Sequence, residues 1–192
     1  MMSDGGRMDD LKQYFADETQ LIERLDLARV EQVIKTLALA RTDGRRVFVF
    51  GNGGSAATAS HFACDLGKGT VRPNLPRFRV VSLNDSIPTI TAYANDMGCE
   101  TMFAEPLISL AQRGDLAIAF SVSGNSPNVV RAIEAARERG LATIGLTGFD
   151  GGKLKALVDI HLNIPSRSFG NVEDLHLAVS HAMCEMLKIN HG

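Results

Sequence analysis

Ala119-Phe-Ser-Val-Ser-Gly-Asn-Ser-Pro-Asn128 joins an apolar run, Asp115 to Phe120, to an amphipathic one, Val129 to Arg139. The first predicts a buried strand and the second a helix, so the stretch between them is a strand-to-helix turn. Ser121, Ser123 and Ser126 surround Gly124 there. The first N–H groups of a helix have no internal partner, and the helix dipole favours negative charge beside them. Serine hydroxyls at such a turn therefore make an anion site, and Pro127 suits the first helical turn because it has no N–H to leave unpaired. An ordinary capped turn needs one hydroxyl, with Gly124 supplying the bend. Three hydroxyls within six residues favour a cradle for a phosphate monoester.

Outward from this turn the same pattern recurs. Arg46 to Phe50 is a strand without a polar face, which predicts burial on both sides. It runs into Gly51-Asn-Gly-Gly-Ser55 and then a helix, Ala56 to Leu66. This glycine-rich junction is neither a dinucleotide-binding GxGxxG nor a Walker motif. Further strands are predicted at Arg79–Leu83, Leu141–Leu146 and Ile160–Ile164, with helices at Ile87–Asn95, Thr101–Gln112 and Glu173–Ile189. Strand and helix alternate five times, which predicts an α/β fold: a three-layer αβα sandwich on a five-stranded parallel sheet. Ligands of such folds lie at the carboxyl ends of the strands, where the two glycine- and serine-rich loops can meet.

Upstream, Asp9 to Leu25 fits helical spacing loosely and Leu27 to Ala38 fits it well, with Asp43-Gly44 as a C-cap. Met1 to Arg7 reads as a frayed start. The expectation is a single domain over 1–192, with helices in 1–44 used for packing or oligomerisation and an α/β core in 45–192.

Length, 45% hydrophobic residues and 22% charged residues suit one globular domain with a full core. A net charge of −2 gives no electrostatic case for nucleic acid or a membrane surface. Cys64, Cys99 and Cys184 are odd in number and lack CxxC spacing, which points to reduced thiols and a cytoplasmic setting. They read as small buried hydrophobes. No apolar run approaches the ~20 residues of a membrane-spanning helix.

Two helices carry candidate chemistry. His61 and Asp65 are spaced i, i+4, and Glu173 and His181 i, i+8, with His176 between them. Each pair shares about one helix face. Together they could form a four-ligand divalent-metal site, or they could be ordinary polar pairs on two helix surfaces; spacing alone does not bring the helices together. Asn95-Asp96 closes the helix after the second strand and could turn the chain or reach a site.

These landmarks resemble the SIS (sugar isomerase) domain family, and within it the phosphoheptose isomerases. The motifs are Gly51-Asn-Gly-Gly-Ser55 with His61-Phe-Ala63, Asn95-Asp96, Ser121-x-Ser-Gly-Asn-Ser126, Leu146-Thr-Gly148, and Glu173-x-x-His176 with His181. The resemblance implies a flavodoxin-like SIS sheet and aldose–ketose isomerisation of sedoheptulose 7-phosphate, or a related sugar phosphate, through an enediol. It implies phosphate binding by Ser121, Ser123 and Ser126. Other substrate contacts fall on Asn52, Gly53, Gly54, Ser55, Asn95, Asp96, Val122 and Glu173. It implies zinc held by His61, Asp65, Glu173 and His181, an acid–base pair of Asp65 and His181, and a homotetramer with active sites at subunit interfaces. This chain departs from the family in having Asp65 for Glu, Glu173 for Gln, and Gly69, beside Lys68, for a basic residue. Some relatives bind a replication-initiator protein or a sugar phosphate without turnover; the intact His61, Asp65 and His181 set argues for catalysis.

Overall fold

The computed structural model describes residues 4–189. Its centre is a five-stranded, all-parallel sheet: β1 (Arg46–Gly51), β2 (Arg79–Ser82), β3 (Leu116–Ser121), β4 (Ala142–Thr147) and β5 (Ile160–Asn163), in the spatial order β2-β1-β3-β4-β5. The helices are α1 (Asp4–Glu23), α2 (Leu27–Thr42), α3 (Gly54–Cys64), α4 (Ile87–Met97), α5 (Ala104–Leu110), α6 (Pro127–Glu138), α7 (Leu154–Leu157) and α8 (Phe169–Lys188).

Alternation along the strands sorts the core into two halves. Val47, Val49, Leu116, Ile118 and Ile144 pack under α2, α3 and α8. Phe48, Phe50, Ala117 and Ala119 pack on the other face under α5, α6 and α7. The result is the expected three-layer sandwich, and α2 is a full member of one layer through Val30, Val33 and Leu37. Every residue of β3, the central strand, is buried, which is why it reads as a continuous apolar run.

Several boundaries differ from the sequence expectation for local reasons. The helix expected at Thr101–Gln112 is a 3₁₀ turn, Cys99–Thr101, followed by the shorter α5. Pro106 can stand only in a first helical turn, so α5 begins just before it. The last helix starts at Phe169 rather than Glu173, because Ser168 caps it by accepting the Asn171 N–H. The expected loose start is helical from Asp4, while Met1 to Ser3 lie outside the described residues. Cys64 and Cys99 are exposed, and only Cys184 is the small buried hydrophobe expected; all three are free thiols. Among the described residues no helix is long and apolar enough to cross a membrane.

The order of strands reverses between β1 and β3, with α3 leaving toward one face and α6 toward the other. Gly51 stands opposite Phe120 in the register, so these two strands end level. Their following loops, 52–55 and 122–126, therefore lie side by side at the switch point where open α/β sheets bind ligands.

Candidate active site

The loop after β3 closes as a tight turn in which the Gly124 N–H donates to the Ser121 carbonyl. Gly124 has φ +63°, and a Cβ there would lie 2.1 Å from the Gly151 carbonyl oxygen, so only glycine fits. Ser121 is buried, and its Oγ stands 3.5 Å from the Ser126 Oγ. Ser126 occupies the N-cap position of α6, with Pro127 in the first turn, yet its hydroxyl makes no capping bond. The ordinary reading of this serine as a helix cap therefore fails, and its oxygen is left for a ligand. Ser121, Val122, Ser123 and Ser126 line one small pocket together with Asn52, Ser55, Phe120, Phe169 and Glu173. Its volume is about 110 Å³.

Two asparagine clamps hold the walls. The Asn52 and Asn128 amides exchange a pair of 2.9 Å hydrogen bonds, tying the loop after β1 to the start of α6. Asn84 brackets Gly51, accepting its N–H and donating to its carbonyl. Glu173, from the second turn of α8, lays its carboxylate over Gly54 at the N-terminus of α3. A Cβ on Gly54 would sit 2.3 Å from Glu173 Oε2, so the close approach of carboxylate to backbone requires glycine. An anion is well placed at that helix end.

A second cluster stands at the far end of α3. His61 Nε2 lies 3.3 Å from Asp65 Oδ2, and His181 Nε2 lies 3.7 Å from the same oxygen. The two imidazole nitrogens are 3.1 Å apart. Asp65 opens a five-residue π turn, Asp65–Gly69, in which the Thr70 N–H donates to the Asp65 carbonyl. Such turns within helices recur at functional sites because they re-aim side chains. The ligand atoms of His61, Asp65 and His181 all fall within 4.8 Å of one another, a donor set of two imidazoles and a carboxylate that suits a divalent metal. The fold thus supplies what spacing alone did not, a contact between the two helices.

Glu173, expected as a fourth ligand, does not join this group in the chain. It stands eight residues before His181 on one continuous helix, about 12 Å along the axis, whereas ligands of one zinc ion lie ~2 Å from it. Asn95 and Asp96 are not brought to the pocket either. They are exposed on α4, where the Asn95 amide donates to Asp96 Oδ1 at 2.7 Å. His176 points inward: it is buried, its Nε2 stands 3.2 Å from the Thr147 carbonyl oxygen, and its Nδ1 has no partner among the described residues. Burial pushes its pKa down to about 4, so it is a neutral strut. Asn128 and Phe169 escaped the sequence reading, and Asn84, which the sequence offers as a possible cap of the following helix, brackets Gly51 instead. Asn128 lies two residues beyond Ser126, a signal that could have been used; a lone Phe before a helix carries none.

The SIS domain family model matches residues 13–148. The phosphoheptose isomerase of Trichlorobacter lovleyi is 42% identical over 160 residues, covering 82% of this chain and 78% of that one. The phosphoheptose isomerase of Geobacter sulfurreducens is 36% identical over 186 residues, covering 94% and 97%. The solved structure of a phosphoheptose isomerase from Francisella tularensis superimposes with a TM-score of 0.88 at 29% identity, covering 97% of this chain and 99% of that one. The chain belongs to the SIS domain family, among its phosphoheptose isomerases.

Proposed function

We propose that the protein interconverts sedoheptulose 7-phosphate and D-glycero-D-manno-heptose 7-phosphate. The observation that carries this reading is the meeting of His61, Asp65 and His181 two helical turns from a pocket lined by Ser121, Ser123 and Ser126. An open-chain sugar phosphate has its phosphate at one end and its reacting carbons at the other, so it needs two such centres apart. Ser121, Ser123, Ser126 and the first N–H groups of α6 take the phosphate. Glu173, on the wall of the same pocket with its carboxylate over Gly54, is placed to accept from the sugar hydroxyls next to the phosphate.

The reaction moves one proton between adjacent carbons. Asp65 takes the proton from C1 of the ketose, and His181 hands a proton to the carbonyl oxygen as the enediol forms. Return of a proton from Asp65 to C2, while the C1 hydroxyl gives its proton back to His181, gives the aldose. His61 and His181 hold the Asp65 carboxylate on its working oxygen. Zinc held by His61, Asp65 and His181 would supply Lewis-acid stabilisation of the developing oxyanion.

The same reading includes a homotetramer with shared sites, in a cytoplasmic setting where the three free thiols persist. Glu173 can approach a zinc at His61 only from a second copy, given its distance from His181. The exposed apolar residues of α1 and α4 offer surfaces for such copies. Turnover of sedoheptulose 7-phosphate, compared with shorter ketose phosphates, tests the assignment: preference for the seven-carbon substrate is expected, and no turnover of any of them would remove it.

A further inference from the structure

The serine pocket, at about 110 Å³, is well below the ~300 Å³ at which pockets for whole small molecules begin. It has room for a phosphate group only, so on the proposed reading the rest of the ligand must leave past the rim. The rim carries Phe169, an aromatic ring that is 59% exposed although the other residues lining the pocket are buried or half-buried. Phe169 is the first residue of α8, whose start is fixed by the Ser168 cap. Its ring meets Phe149 edge to face, with centroids 5.1 Å apart at 84°.

Phe149 is the one non-glycine residue with positive φ among those described, at +52°. A bulky side chain in the left-handed region is a strained conformer that persists only where its surroundings over-determine it. Here they do. The Phe149 N–H donates to the Ser166 carbonyl, and the Asn163 amide donates to the Phe149 carbonyl. The ring packs against Leu21, Val122, Ile164, Val172 and Leu175. Val122 is itself a wall of the pocket and accepts the Gly148 N–H. The strain thus serves to hold a second aromatic ring behind the first.

We infer that Phe149 and Phe169 form a fixed aromatic wall at the mouth of the phosphate pocket, with Phe169 packing on the C–H face of the sugar chain and setting specificity for carbon beyond the phosphate. Phe169 is the contact residue and Phe149 its positioning residue. The inference rests on the isomerase reading for the identity of the sugar, but not for the existence of the wall.

The test compares sedoheptulose 7-phosphate with inorganic phosphate as calorimetric ligands, beside steady-state kinetics, for the wild type and for Phe169→Ala, Phe169→Leu and Phe149→Gly. Phe149→Gly deletes the supporting ring while removing the backbone strain. The wall predicts about tenfold weaker sugar-phosphate binding and higher KM in Phe169→Ala, with inorganic phosphate binding and kcat nearly unchanged. Phe169→Leu restores part of the loss, and Phe149→Gly shows a smaller loss of the same kind. Equal sugar-phosphate affinity in Phe169→Ala and wild type would overturn the wall. So would parallel weakening of both ligands, or a change of oligomeric state that accounts for the loss. Because the calorimetric titrations are repeated in the Asp65→Asn background, where turnover contributes no heat, an inactive wild type would sink the isomerase reading while the calorimetry still decides the wall.

Discussion

At the scale of single residues, the site divides into groups that bind and groups that move protons. On the proposed reading Ser123 and Ser126 give hydroxyls to a dianion, and such charge-assisted bonds contribute about 1.5–3 kcal/mol each. The double change to alanine should therefore raise KM by at least about a hundredfold with the melting temperature little changed. An unaltered KM would remove the phosphate assignment. Asp65→Asn keeps an oxygen for a metal but cannot accept a proton, so kcat should fall by at least about a hundredfold while elemental analysis still finds metal. His61→Ala should lower metal content and melting temperature together; wild-type metal content in that variant would show that the cluster is not the ligand set. The serines could be singled out in the sequence because three hydroxyls exceed what a cap needs; in the fold Ser126 stands at the N-cap position without a capping bond. Phe169 was not legible, because exposure and pocket placement are properties of the folded chain.

At the scale of elements, the strands were the easiest to read, since β1 and β3 are buried on both faces and show it as unbroken apolar runs. Helix ends were harder. Capping by Ser168 and the π turn at Asp65 depend on one hydrogen bond each, which periodicity does not encode. Spacing likewise placed Glu173 and His181 on one face of α8 but could not say that Glu173 stands apart from the cluster of His61, Asp65 and His181 in the single chain. That helix is pinned to the end of β4 by His176 and the Thr147 carbonyl. Burial lowers the His176 pKa from 6.5 to about 4, while the unfolded chain titrates near the ordinary value. Between those values the unfolded state binds more protons, so the contribution is full above about pH 6.5 and is lost as pH falls toward 4, up to about 3 kcal/mol. Denaturant titrations from pH 7 to 4 should show this loss, and His176→Gln should flatten it; an equally steep profile in the variant would assign the dependence elsewhere. Gly124→Ala should cost about 1–3 kcal/mol from backbone strain alone, with more from the collision at the Gly151 carbonyl, read by the same titrations.

At the scale of the molecule, the single chain leaves apolar surface that its own core does not cover. On α1, Met8, Leu11, Phe15 and Ile22 are exposed at spacings of three, four and seven residues, the seam of a helix that packs on another. No residue of α4 is buried, though Ile87 and Met97 are large and apolar. Light scattering should give four times the chain mass, and Phe15→Glu should shift it toward smaller species; a monomeric wild type at micromolar concentration would contradict this. The α/β sandwich was legible from strand–helix alternation, but the side-by-side placement of the two loops needed the strand order, which reverses between β1 and β3. The central claim is that this switch point, with Asp65 and His181 beyond it, carries out proton transfer between C1 and C2 of a seven-carbon sugar phosphate. Its most direct test is sedoheptulose 7-phosphate incubated with the wild type and Asp65→Asn in deuterium oxide, followed by NMR. The account predicts aldose 7-phosphate with the wild type, carrying solvent deuterium at C2 to the extent that the proton on Asp65 exchanges before its return, and almost no aldose with Asp65→Asn. Absence of aldose with the wild type, or equal conversion by both proteins, would contradict it.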